Sequence, residues 1–121
     1  YIPILEVKAT KEILFGEYLK TLIKQANMTQ TQFYTAVGIT KPYFYDILSG
    51  RVSPPPAELQ FKIAQVLHVD SETCAILFDL AAKGRKEIPA DVALWMNNHP
   101  NEINNIRKKY ENSPLGGTNY E

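Results

Sequence analysis

The sequence predicts an all-α fold, and three observations carry that prediction. Apolar residues recur at helical spacing in successive segments, and no convincing pair of alternating strands is present. Thr29 and Thr40 stand just before two of these segments, where helix caps are expected. Gly38 and Gly50 stand just after the same two segments, at positions typical of helix ends. The chain therefore contains two short helices on either side of a turn that begins at Gly38.

The first three helical patterns occupy roughly residues 12–49. Their predicted inward residues are Phe15, Leu19, Leu22, Ile23 and Ala26 in the first, Phe33, Ala36 and Val37 in the second, and Phe44, Ile47 and Leu48 in the third. Pro42 falls in the first turn of the third helix, where its missing N–H is tolerated. Helix, glycine-containing turn and second helix form the unit that places a helix in the DNA major groove.

Four more helical patterns follow a proline-rich loop. They are predicted at residues 57–67, at 71–83 with Gly84 ending the helix, from Pro89 to a break at His99–Pro100, and at 101–110. The 71–83 helix is apolar nearly all round, so its second face is expected to be covered by a later segment or another subunit. We divide the chain into an unassigned arm (1–10), a DNA-binding domain (11–70), a helical extension (71–110) and a disordered tail (111–121).

Composition gives weaker indications than the motif. Thirteen basic and thirteen acidic residues leave no net charge, which alone disfavours nucleic-acid binding. Residues 11–68 nevertheless carry six basic and four acidic groups, against six and eight in residues 69–121. No apolar run is long enough to cross a membrane, and a single cysteine, Cys74, fits a reducing compartment. We expect a cytoplasmic protein without membrane association.

The outward side of the third helix supplies the candidate DNA contacts, because Phe44 marks its buried side. Lys41 could donate to guanine, Pro42 could touch a thymine methyl, and Asp46 could accept from cytosine. The predicted base-contacting residues are Lys41, Pro42, Tyr45 and Asp46. The predicted phosphate-contacting residues are Thr29, Gln30, Thr40, Tyr43, Ser49 and Arg51. Half-buried structural roles for the tyrosines, Tyr34 included, and solvated surface roles for Gln30 and Arg51 stay open.

Catalysis is not expected from this sequence. The two histidines, His68 and His99, have no neighbouring cysteine or carboxylate pair at metal-ligand spacing. His68 is expected to cap a helix, His99 to lie in an exposed turn, and Cys74 to pack in the core. We therefore predict no catalytic residue, no metal, no cofactor and no small-molecule ligand.

Residues from about Phe15 to Val69 resemble the lambda-repressor-like, Xre-family helix-turn-helix domain. The residues that carry the resemblance are Thr29-Gln30, Gly38-Ile39, Thr40, Ser49-Gly50-Arg51 with Pro54, and the IAQVLHV stretch at 63–69. It implies a five-helix DNA-binding domain in which Lys41, Pro42 and Asp46 contact bases and Gln30, Tyr43 and Arg51 contact phosphates. Tyr34 and Leu48 depart from the family pattern, which has a small residue and often glutamate there. The continuation through Pro100 resembles an extension found on some regulators of this family in Firmicutes.

Proteins of this kind commonly bind as dimers on two half-sites. The predicted dimer interface consists of Ile76, Leu80, Trp95, Met96, Ile103 and Ile106. The alternative is that the last helices fold back on the fifth helix within one subunit. The sequence thus predicts a homodimeric, sequence-specific DNA-binding transcriptional regulator, a repressor. The alternative function is a protein-interaction module, such as an antitoxin, that uses the same helices.

Overall fold

The computed structural model describes residues 13–111 of the 121-residue chain. The predicted arm, 1–10, and the predicted tail beyond residue 111 lie outside the described residues. Within the described range the chain is helical and has no strand. Its helices are α1 (Phe15–Gln25), α2 (Gln30–Val37), α3 (Lys41–Ser49), α4 (Ala57–Leu67), α5 (Ser71–Arg85), α6 (Ala90–Asn97) and α7 (Pro100–Glu111). Residue 111, which the sequence assigned to a disordered tail, is the last residue of α7.

Local hydrogen bonds set the ends of α2 and α3. The Thr29 hydroxyl accepts a bond from the backbone N–H of Gln32 (3.0 Å), whose side-chain oxygen accepts from the Thr29 N–H (2.9 Å). The Thr40 hydroxyl accepts from the backbone N–H of Tyr43 (3.3 Å). Gly38 and Gly50 end the two helices with φ of 88° and 80°, a conformation that glycine adopts without strain. Both predicted caps and both predicted ends are confirmed.

The hydrophobic core is formed by residues of the five helices from α1 through α5. It is centred on two fully buried rings, Phe33 of α2 and Phe44 of α3, whose centroids lie 5.6 Å apart. One predicted inward residue, Ala36, is wrong, because it is exposed. Ala26 and Leu48 are partly buried and pack against the edge of the core. Ala36 lies about 100° around α2 from a buried neighbour, so periodicity alone could not decide its side.

The helices α1 and α3 cross in close contact at Gly16. A Cβ atom on this buried residue would lie 2.7 Å from the carbonyl oxygen of Ile47 and closer still to that of Leu48. No side chain larger than hydrogen fits between the two backbones. Gly16 therefore fixes how near α3 sits to α1.

Gly84 does not end α5, contrary to the sequence-based prediction. The helix continues to Arg85, and Lys86 closes it with a left-handed φ of 58°. The glycine instead admits a proline ring, because a Cβ on Gly84 would lie 2.7 Å from Cγ and Cδ of Pro54. Arg85 also donates to the Pro54 carbonyl oxygen (3.0 Å). Together these contacts hold the proline-rich loop against α5.

The last two helices pack without forming a core. α6 contacts α5 and α7 contacts α6, yet neither helix contains a buried residue. Ile76 of α5 stays exposed, so the α6 and α7 helices leave part of the apolar surface of α5 open. None of the described helices combines the length and apolar character needed to cross a membrane.

Candidate nucleic-acid interface

The α3 helix buries one side and presents the other to solvent. Phe44 and Ile47 are buried, whereas the side chains on the opposite side are exposed. We call this exposed set the α3 face; it consists of Lys41, Pro42, Tyr45 and Ser49. Two of its members lie in the first helical turn. The amino end of α3 therefore offers a cation and an apolar ring to a partner.

A hydrogen bond couples the α3 face to the start of α2. The Tyr45 hydroxyl donates to Oε1 of Gln30 over 3.2 Å, and the Tyr45 ring meets Phe44 edge-on with centroids 5.3 Å apart. This bond uses the carbonyl half of the Gln30 amide. The amide nitrogen is a donor, so Gln30 can serve a phosphate and Tyr45 with different atoms.

Asp46 and Arg51 form an ion pair at the carboxyl end of α3. Arg51 Nε lies 3.6 Å from Oδ1 of Asp46, and the arginine side chain is 78 % exposed. The Arg51 backbone N–H donates to the Asp46 carbonyl oxygen (3.0 Å), while the Ser49 hydroxyl donates to the same oxygen (3.2 Å). A long, exposed ion pair contributes little to stability. The Arg51 guanidinium can therefore exchange the carboxylate for a stronger anion.

The remaining predicted phosphate contacts have structural duties as well. Thr29 and Thr40 accept capping bonds, but a hydroxyl that accepts can also donate to an outside oxygen. Tyr43 is half-buried and packs against the core. Tyr34 is also half-buried, with its ring 5.4 Å from that of Phe44, and this packing matches the structural alternative for the tyrosines.

A shallow groove runs beside the α3 face and includes a residue that the sequence did not single out. Its lining consists of Lys20, Gln30, Tyr45, Asp46, Leu48, Ser49 and Arg51. Lys20 belongs to α1 and reaches this groove because α1 crosses α3 closely at Gly16. Helical periodicity placed Lys20 on the solvent side of α1, but no local signal shows which neighbour that side approaches. The groove adds a second cation beside Arg51.

The predicted dimer residues fall into two groups. Ile76, Trp95 and Ile106 are exposed, whereas Leu80, Met96 and Ile103 are partly buried. Other large apolar residues outside the prediction are also exposed: Ile88, Val92 and Leu94.

Two neighbouring side chains close the turn between α6 and α7. The Trp95 ring stacks on His99 with centroids 3.8 Å apart, and His99 Nδ1 lies 2.7 Å from the Trp95 carbonyl oxygen, to which it donates. The histidine thus helps to hold the turn, in the exposed position that the sequence predicted for it.

The other reactive groups have environments typical of structural residues. His68 is the exposed cap of α4, as predicted, with a left-handed φ of 52°. Cys74 is half-buried, and burial raises the pKa of its thiol, with Asp91 and Asp70 adding to the effect. Its thiolate is therefore disfavoured at neutral pH. Across residues 13–111, no three His, Cys, Asp or Glu side chains gather as a metal site requires.

Comparison with known proteins matches this region to one family. Residues 14–75 match a family described as a helix-turn-helix domain, so the match begins just before α1, includes α2 to α4 and ends inside α5. It covers just over half of the chain. Comparisons with curated proteins and with solved structures found no match. The chain therefore belongs to the helix-turn-helix domain family, which indicates a DNA-binding regulator.

Proposed function

We propose that the protein is a sequence-specific transcriptional repressor of the lambda-repressor-like, Xre type that reads the DNA major groove with α3. The observation that carries this proposal is the exposure of Lys41 and Pro42 at the amino end of a helix whose other side is buried. In helix-turn-helix docking, that end of the second helix meets the base edges. The protein acts by binding and not as an enzyme.

Base recognition is assigned to four side chains of α3 with different chemistry. Lys41 donates to guanine O6 or N7, Pro42 touches a thymine methyl, and Tyr45 contacts a base edge from the next turn. Asp46 accepts from cytosine N4 and repels sequences that place an acceptor there, which favours the correct site. The bond from Tyr45 to Gln30 supports this assignment, because it limits the orientations open to both side chains.

Phosphate recognition is assigned to the start of α2 and to the end of α3. The unpaired N–H groups and dipole of a helix amino end favour an anion beside Thr29 and Gln30. Arg51 supplies a cation at the other end of the α3 face, and Ser49 supplies a hydroxyl. Lys20 lines the same groove as Ser49 and Arg51 and supplies a second cation. The local surplus of positive charge compensates for the neutral chain as a whole.

Repression follows from occupancy of the operator by two copies. One domain of this size covers too little DNA for high specificity, whereas a two-fold dimer reads two half-sites about 34 Å apart. We assign dimerisation to residues 71–110, whose exposed apolar side chains support this role. A dimer on a promoter blocks polymerase sterically, without a ligand-sensing domain.

The test begins with selection of bound fragments from random and genomic DNA, followed by footprinting and titration of the selected site. Lys41→Ala and Gln30→Ala are compared with Lys108→Ala, which removes the same charge as Lys41→Ala from the exposed surface of α7. We expect Lys41→Ala to weaken selected-site binding at least about tenfold and Lys108→Ala to leave it within about twofold. If both Lys41→Ala and Gln30→Ala leave binding unchanged, the DNA-binding hypothesis is excluded and the protein-interaction module is favoured.

Salt dependence gives an independent check. If six or more phosphates are contacted, affinity falls about a thousandfold or more between about 50 and 200 mM salt. Arg51→Ala should reduce the slope of log affinity against log salt by about one, because one phosphate contact is lost. A salt-independent affinity would contradict the phosphate assignments.

A further inference from the structure

The α7 helix carries an apolar stripe that the rest of residues 13–111 covers only in part. Ile103, Ile106 and Tyr110 recur at i, i+3 and i+7 and share one side of the helix. Ile103 is partly buried, whereas Ile106 is 52 % exposed and Tyr110 is 37 % exposed. α6 has 8 residues and α7 has 12. About 12 Å of α6 cannot cover about 18 Å of α7 along its full length.

Two residues of opposite charge lie along one border of this stripe. Glu102 and Lys109 are both exposed and stand seven residues apart, so they lie on the same border of the stripe, about two turns from each other. Glu102 accepts a long bond from Nδ2 of Asn105 (3.5 Å), and Arg107 donates to Asn104 (2.8 Å). The carboxylate thus lies toward the amino end of the stripe and the ammonium group toward its carboxyl end.

The charges on this border are complementary to those on the same border of a second α7 helix that runs in the opposite direction. If two α7 helices cross antiparallel beside Ile106, Glu102 of each copy faces Lys109 of the other. The same surface is used by both copies, as a closed two-fold interface requires.

We propose that α7 pairs antiparallel with α7 of a second copy, around a two-fold axis beside Ile106. This inference rests on the proposed function, because it specifies how two DNA-reading domains are joined. The charge order favours a second copy over an unrelated protein, since each charged group finds its counterpart in the same sequence. One helix seam buries less than the roughly 800 Å² per partner of a standard interface, so the dimer is weak in solution. When two copies bind adjacent half-sites on DNA, the effective concentration of one copy near the other rises, and this favours the dimer.

The test measures dimer dissociation by sedimentation equilibrium of the full chain without DNA. E102K or K109E replaces two attractive contacts with two repulsive ones and should raise the dissociation constant about tenfold. The double variant E102K/K109E exchanges the charges and should restore the wild-type value within about threefold. K108E makes the same charge change as K109E on the opposite side of α7, and it should have little effect.

Ile106→Glu provides a second, stronger perturbation. It places two carboxylates at the centre of the seam and should abolish the dimer, while the exposed position should leave the folded monomer intact by circular dichroism. A wild-type chain that stays monomeric at about 200 µM, a double variant that does not recover, or a K108E effect equal to that of K109E would overturn the proposal. Affinity of these variants for a single half-site distinguishes failure of the α7 pairing from failure of DNA recognition. If half-site affinity is unchanged, the proposed DNA-binding function is retained even when the pairing proposal is overturned.

Discussion

Gly16 offers a sensitive probe of the contact between α1 and α3. Replacing it with alanine adds one methyl group, which would lie 2.7 Å from the Ile47 carbonyl oxygen. Carbonyl oxygens of a helix cannot turn aside as a side chain can, so α1 and α3 must separate. Overpacking of this kind costs about 1–3 kcal/mol. The better helix propensity of alanine offsets at most about 1 kcal/mol.

The net expectation is a loss of about 1–2 kcal/mol in the free energy of unfolding, which lowers the melting temperature by about 5–10 °C. Circular dichroism during heating measures this change. Gly84→Ala is the comparison variant, because its methyl group would meet the ring of Pro54 in a loop and not the backbone of a packed helix. We expect Gly84→Ala to lose less stability than Gly16→Ala.

DNA binding adds a second measurement of the same contact. Moving α3 away from α1 also moves Lys20 away from the groove that it shares with Arg51. Folded Gly16→Ala protein, assayed well below its melting temperature, should therefore bind the selected site more weakly than Gly84→Ala. A Gly16→Ala variant that melts at or above the wild-type temperature would refute the close crossing.

Three further predictions concern the helix ends and the loop. The Thr73 hydroxyl and backbone N–H lower the pKa of the Asp70 carboxyl below its ordinary 3.8. The stability that Asp70 contributes is therefore full above pH 4 and is lost as the pH falls through the lowered pKa, so wild type and Asp70→Ala should converge in acid unfolding scans. Gln60→Ala should cost about 2 kcal/mol in urea unfolding, since buried Nε2 donates to the Pro55 carbonyl oxygen (2.8 Å); an unchanged midpoint would contradict this. Thr29→Ala should lower stability by about 1 kcal/mol, whereas Thr29→Ser should retain most of it.

The sequence predicted those features that depend on a few consecutive residues. Thr29 and Thr40 cap their helices, and Gly38 and Gly50 end them, because the hydrogen bonds involved join residues no more than five apart. The outward position of Lys41 on α3 follows from the same local periodicity.

Features that depend on contacts between distant segments could not be predicted. Glycine is typical of helix ends, but Gly84 lies within α5. It is glycine there because the ring of Pro54, thirty residues earlier, occupies the position of a Cβ atom. The approach of Lys20 to the groove follows from the missing side chain of Gly16, which no periodicity reports. The extension likewise has a helical pattern, yet no residue of α6 or α7 is buried within the described chain.

Methylation interference on the selected operator tests most directly whether α3 reads the major groove. Dimethyl sulfate modifies guanine N7 in the major groove and adenine N3 in the minor groove, and the two grooves are thereby distinguished. We expect N7 methylation to block binding at guanines in both half-sites, and Lys41→Ala to become insensitive to methylation at one of these guanines. Interference confined to adenine N3, or none at all in a specific complex, would contradict this expectation.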